Sequence, residues 1–179
     1  MTPESPRALT IVYTGHGKGK TTAAFGLALR MLGHGWRVLV LQFFKGPLES
    51  GERLAALRLA PDLTVRTLGR GYIGINGAAP AEEDHLVAAR AWAVVCDEVG
   101  QGAWDAVILD EVNDMTALGL IPVPELLRLI ETRPPNLTLV LTGRDADPLV
   151  CRAADIVTDM SCIKHVHAAG RSEVKGIDR

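Results

Sequence analysis

An α/β fold in three layers, with a mostly parallel six-stranded sheet between helices on both faces, is predicted by three features of the 179-residue sequence. Short apolar runs alternate with helix-compatible segments at regular spacing. Aromatic residues are only 4%, so Leu, Val, Ile and Ala must fill the interior, as they do in buried parallel sheets. A glycine-rich turn joins the first apolar run to the first helical one. The length suits a single domain over residues 1–179, and 47% hydrophobic with 22% charged residues is the balance of a chain that can bury a core.

In chain order, strands are expected near Leu9–Thr14, Arg37–Phe44, Leu63–Leu68, Ala106–Asp110, Leu137–Thr142 and Asp155–Met160, all short and rich in Val, Leu and Ile. The first helix is Thr21–Leu32: Phe25, Leu29 and Leu32 give apolar spacing, and Gly33-His34-Gly35 stops it. A long helix follows Pro80 and runs to about Val99, its first turn carrying Glu82, Glu83 and Asp84 where the helix dipole is positive. Val123–Glu131 forms another helix, ended before Pro134-Pro135. Right-handed crossovers then place helices on both faces, and ligands bind beyond the carboxyl ends of such strands.

Composition narrows the partners. A formal net charge of -2 argues against broad electrostatic binding to nucleic acid or an anionic membrane and leaves room only for a focused anion site. Cys96, Cys151 and Cys162 are far apart, form no C-x-x-C pair, and are read as buried thiols in a reducing compartment. No apolar run approaches the roughly 18 residues of a membrane span, so a cytoplasmic location is expected.

The string Gly15-His16-Gly17-Lys18-Gly19-Lys20-Thr21-Thr22 lies between a strand and a helix, the context of a phosphate-binding loop. Glycines let the backbone curl until successive N–H groups face phosphate oxygens, Lys20 adds a point charge, and the helix dipole adds a positive end. Thr21 is placed to hold a magnesium ion. The general pattern has four residues between its first glycine and the Gly-Lys pair, whereas only three separate Gly15 from Gly19. The second constellation, Ala106-Val107-Ile108-Leu109-Asp110-Glu111, is an apolar strand ending in two carboxylates, and reads as a Walker B element that orients the magnesium shell. Taken singly, the first element is also compatible with a glycine turn bearing incidental lysines, and the second with a solvated acidic turn. Together they specify a P-loop NTPase-like fold that binds a nucleoside triphosphate. They do not choose between phosphoryl transfer, hydrolysis and attack elsewhere on the nucleotide.

The loop and its sequel, GHGKGKTTAAFGLALRMLGHG followed by RVLVLQFFKG, resemble the ATP:corrinoid adenosyltransferases, a P-loop family of the cobalamin pathway. The likeness continues in order through GRGYIG at Gly69–Gly74, VILDEVN at Val107–Asn113, GLIPVPELL at Gly119–Leu127, LVLTGRDADP at Leu139–Pro148 and IKHVHAAGRSEVKGID at Ile163–Asp178. The shortened glycine loop is itself a trait of that family. The resemblance implies that a corrinoid, cobalamin or a precursor reduced to Co(I), attacks the 5′ carbon of ATP and expels triphosphate. Co(I) is already a strong nucleophile, so the protein must align the reactants and stabilise charge on the leaving group.

In that reading Lys18, Lys20, the loop amides and magnesium meet the triphosphate, Glu111 and Asp110 belong to the metal shell, and His16 lies near the ribose, where many members carry Asn. Arg30 and Arg144 are candidates to clamp phosphates. Tyr72 and Gly74 stand where well-known members carry a Phe and a Trp against the corrin, so Tyr72 is the candidate lower-face residue. In the tail, Lys164-His165 and Lys175-Gly176-Ile177-Asp178 match the family, while Val166 and His167 replace a Pro and an aromatic residue. Longer members carry an N-terminal extension over a neighbouring subunit's site; here the first strand begins by about Leu9, and no such lid is expected. The resemblance also implies a homodimer and an electron-donating reductase as partner. An ATPase or small-molecule kinase, with Glu111 polarising water or an acceptor hydroxyl, is the competing activity, and a nucleotide-dependent corrinoid carrier the non-enzymatic one.

Overall fold

The computed structural model describes residues 8–45, 50–71, 79–166, 170 and 174–177. Six strands form one sheet: β1 (Thr10–Thr14), β2 (Val38–Gln42), β3 (Leu63–Thr67), β4 (Ala106–Asp110), β5 (Thr138–Thr142) and β6 (Ile156–Asp159). Their order is β3-β2-β4-β5-β1-β6, and every pairing is parallel. The expected sheet was mostly parallel; among the described residues it is wholly so, because each strand returns through a helical crossover.

The helices are α1 (Lys20–Leu32), α2 (Gly51–Arg58), α3 (Glu82–Gly100), α4 (Val112–Ala117), α5 (Val123–Thr132) and α6 (Pro148–Ala153). The acidic first turn of α3 is present, and Asp84 Oδ2 accepts the Ala81 N–H at 2.8 Å, which ties down the helix entry. Asp147 caps α6 by accepting the Leu149 N–H at 2.7 Å, with Pro148 opening the helix.

Alternation along the strands creates the three layers. Ile11, Val38, Val40, Ala106, Ile108 and Val140 face one side and pack with Ala24, Ala28 and Met31 of α1 and Ala56 of α2. Val12, Leu39, Leu41, Val107, Leu109, Leu139 and Leu141 face the other, against α3 (Ala88, Ala91, Val95), Met115 of α4 and Leu126 of α5. All five residues of β2, β4 and β5 are buried, whereas the edge strand β6 is exposed throughout. The small alanines of α1 and α3 let those helices approach the sheet closely, which is how a core with few aromatics reaches close packing.

The cysteines depart from expectation. Cys96 and Cys162 are exposed and Cys151 is half-buried, with all three thiols free. Cys96 follows the buried Val95 by one residue, a step of about 100° around α3 that turns it off the core face. Cys162 lies beyond the exposed edge strand β6. No helix of the described residues is long and apolar enough to cross a membrane.

Candidate nucleotide site

The carboxyl ends of β1, β4 and β5 deliver the glycine loop, the acidic pair and the Gly143-Arg144 turn to one edge of the sheet. β1 and β4 are not neighbours, since β5 runs between them. Their terminal groups meet across it.

Gly15 and Gly19 bend the loop with φ of 93° and 123°, values that L side chains rarely adopt. Close approach is the second reason for glycine here. A Cβ at Gly15 would lie 2.6 Å from Asp159 Oδ1 and from the Met160 carbonyl, and one at Gly17 would lie 2.5 Å from that same carbonyl. The segment leaving β6 thus rests directly against the loop, and the Gly17 N–H donates to Met160 O at 2.6 Å. One amide expected to face phosphate is therefore engaged by the chain itself, because the loop needs a buttress on its β6 side.

Lys20 Nζ donates to the carbonyls of Gly15 at 2.6 Å and Gly17 at 2.8 Å, which draws the ammonium over the loop. Burial, and then the nearby Arg144, pull Lys20 below the ordinary lysine range, while Asp114, Glu111 and Asp159 act against that shift. Lys18, Thr22 and His16 are exposed on the loop and first helical turn. His16 Nε2 lies 3.1 Å from Asp145 Oδ1, an exposed pair that links the loop to the turn after β5.

Asp110 is fully buried and its two oxygens are committed. Oδ1 accepts from Thr21 Oγ1 at 2.8 Å and from Thr142 Oγ1 at 2.7 Å, and Oδ2 accepts from Gln42 Nε2 at 2.9 Å. Thr142 Oγ1 in turn accepts the Glu111 N–H at 2.9 Å. Glu111 itself stands at φ 70° with Oε2 buried and without a hydrogen-bond partner. Burial pushes its carboxyl up to about 7, with Asp110 and Asp114 adding to the shift and Lys45 and the Phe44 backbone opposing it.

This set suits magnesium. Thr21 gives its hydroxyl hydrogen to Asp110, which leaves the oxygen lone pairs for a cation, and Glu111 Oε2, buried without a hydrogen-bond partner, is a second hard oxygen donor. Among the described residues no group of three or more His, Cys, Asp or Glu side chains could hold a metal ion by itself. His167 lies outside the described residues.

The expected site residues do not all converge. Gly15, Gly17, Gly19, Lys20, Thr21, Asp110, Glu111 and Arg144 lie at the one edge. Arg30 does not join them: it is exposed in the last turn of α1, about 15 Å along the helix from Lys20, where its charge suits the negative helix end. Tyr72 and Gly74 lie outside the described residues. Gly69, which opens that segment, packs so tightly on Phe43 that a Cβ would collide with its carbonyl oxygen.

Gln42, Thr142 and Asp114 join the site without belonging to either sequence motif. The first two carried a signal, since each is the polar last residue of an otherwise apolar buried strand, VLVLQ and TLVLT. Asp114 carried none; it matters because its Oδ2 accepts the Arg144 N–H at 2.9 Å.

A parallel three-layer fold with a glycine loop after β1 and a buried acidic residue ending β4 defines an α/β protein of the P-loop nucleotide-binding class. Residues 6–178 match the family model described as ATP:corrinoid adenosyltransferase BtuR/CobO/CobP, and the chain belongs to that family. It is 35% identical over 172 residues to the corrinoid adenosyltransferase of Pseudomonas aeruginosa, covering 96% of this chain and 84% of that protein. It is 34% identical over 175 residues to the corrinoid adenosyltransferase of Escherichia coli K12 and to that named CobA in Salmonella typhimurium, covering 98% of this chain and 87% of each.

Proposed function

We propose that this chain transfers the 5′-deoxyadenosyl group of ATP to the Co(I) of a reduced corrinoid and releases inorganic triphosphate. The observation that carries the reading is the joint between Thr21 and Asp110, which fixes the glycine loop against the acidic strand end in a chain of this family. The Co(I) electron pair forms the bond to C5′, and the C5′–O bond breaks with its electrons leaving on the triphosphate. Nothing is deprotonated, so the reaction asks no base of Asp110, whose two oxygens are already engaged by Thr21, Thr142 and Gln42.

Charge on the departing triphosphate is the quantity the protein must stabilise. Lys20, held over the loop by two carbonyls, is the central cation, with Lys18, the remaining loop amides and Arg144 around it. Thr21 and Glu111 would hold magnesium, and Asp110 would orient Thr21. The ion, when bound, supplies further neutralisation of the phosphate oxygens. His16, at the exposed rim of the loop, is assigned to the ribose side, and Tyr72 to the lower face of the corrin. A homodimer, a reductase that delivers the electron and a cytoplasmic setting complete the proposal.

Anaerobic incubation with ATP, magnesium and chemically reduced corrinoid tests it, followed by the spectral change from Co(I) to the alkylated cobalt. Triphosphate should appear in step with that change. ADP or orthophosphate in its place would transfer the site to the kinase or ATPase class.

A further inference from the structure

The turn that leaves β5 carries a constraint that neither the glycine loop nor the acidic pair explains. Gly143 stands at φ 133° and donates its N–H to Tyr13 O at 3.2 Å, and the next N–H, of Arg144, goes to Asp114 Oδ2 at 2.9 Å. A Cβ at Gly143 would strike Asp114 Oδ2 and would come within 2.9 Å of both Asn113 Cβ and the Asp114 nitrogen. The start of α4 is therefore seated directly on the turn, and the turn is held from two sides, by the end of β1 and by α4.

Arg144 is exposed, and it is its backbone N–H that Asp114 holds. It nevertheless lies close enough to Lys20 for the two cations to oppose each other, and Asp114 feels both of them. Two like charges held near one another are a poor arrangement for the protein alone and a good one for a polyanion. Such an arrangement requires a fixed root, since a flexible Arg would move away from Lys20.

We propose that Asp114 is a positioning residue for the nucleotide: its carboxylate pins the Arg144 backbone and so holds the guanidinium beside Lys20 at the triphosphate. The proposal rests on the reading that Arg144 meets the phosphates. Asp114 touches no substrate, and acts through Arg144 alone. The oxygen acceptor is what matters, so an amide of the same shape serves in place of the carboxylate.

The test is steady-state adenosylation with varied ATP at saturating reduced corrinoid, together with displacement of a fluorescent ATP analogue by tripolyphosphate. Asp114→Ala should lose about tenfold in kcat/KM for ATP, the size of one hydrogen bond and the ordering it imposes, and tripolyphosphate should bind more weakly by a similar factor. KM for the corrinoid should stay within about twofold. Asp114→Asn should recover to within about threefold of the native chain, and in an Arg144→Ala background the Asp114→Ala change should cost less than about twofold. Asp114→Ser, too short to reach the turn, should match Asp114→Ala and serves if that variant does not fold, with thermal melting as the check. Full additivity with Arg144→Ala, failure of Asn to rescue, or native affinity for tripolyphosphate in Asp114→Ala would overturn the positioning role while leaving the adenosyltransferase reading intact. Native kinetics in Arg144→Ala alone would remove the premise that Arg144 meets phosphate, and absence of adenosylation by the native chain would remove the reading beneath both.

Discussion

Thr21 Oγ1 donates to Asp110 Oδ1 across 2.8 Å, linking the first turn of α1 to the last residue of β4. Neither residue is free to drift, because Asp110 is also gripped by Thr142 and Gln42 from the strands on either side. A threonine held in this way presents its lone pairs in a constant direction, so on the proposed reading the fold would orient Thr21 toward magnesium before the ion binds.

Lys20 is expected to be the most sensitive position for turnover. Lys20→Ala removes both the charge proposed to face the leaving triphosphate and the two bonds that draw the loop carbonyls together. The adenosylation rate should fall on the order of 10²–10³-fold, the usual scale for losing one donor to a developing anion. Anaerobic spectrophotometry reads it directly, and native activity in the variant would dismiss the role.

Glu111 should make the metal-free protein less stable as pH rises. Its carboxyl is raised from 4.5 to about 7, so between those values the folded chain keeps a proton that the unfolded chain has released. Stability contributed by the neutral form is complete at the acid end of this window and is lost as pH climbs through it. Glu111→Gln, neutral at every pH, should flatten the slope, and the difference from the native chain should reach on the order of 1–3 kcal/mol at neutral pH. Urea melts with chelator present across that range measure it; parallel curves would mean that the carboxyl titrates alike in both states.

Gly69→Ala is expected to disturb both stability and the corrinoid step. The added methyl would run into the Phe43 carbonyl oxygen, which backbone movement alone can relieve. A loss on the order of 1–3 kcal/mol follows, visible as a lower denaturation midpoint. Displacing Gly69 also displaces the start of the segment that leads to Tyr72, so KM for the corrinoid should rise more than KM for ATP. An equal change in both would detach this segment from corrinoid binding.

Glu98 supplies the control, since its partners Arg66 and Trp104 are not residues of the nucleotide site. It is buried, pairs with Arg66, and accepts the Trp104 Nε1–H at 2.9 Å, while Arg37 stacks 5.1 Å from the Trp104 ring centre. Glu98→Ala should strand the indole N–H and the cation and cost about 1–3 kcal/mol of stability. Turnover per folded molecule should remain native. A selective loss of turnover would show that this cluster communicates with the nucleotide edge.

All six strands were legible from the sequence because each is a short apolar run between polar turns, a pattern set by neighbours along the chain. α1, α3 and α5 were legible by their starts and stops, and the glycine loop by its spacing. α2 was not foreseen: Leu54 and Leu57 are exposed and only Ala56 is buried, so its apolar residues mark no core face. The short α4 and α6 offer too few turns for a period to show.

What the sequence by itself determined was the set of parts: strands, a phosphate loop, an acidic strand end and the family they announce. Only the tertiary structure decided how those parts touch. Thr21 and Asp110 are 89 positions apart, Gln42 and Asp110 are 68 apart, and Met160 closes on Gly17 from the far end of the chain. The same structure left Cys96 and Cys162 exposed. Periodicity and spacing report forces between residues a few steps apart, whereas these contacts depend on strand order, and strand order is settled by how the layers pack.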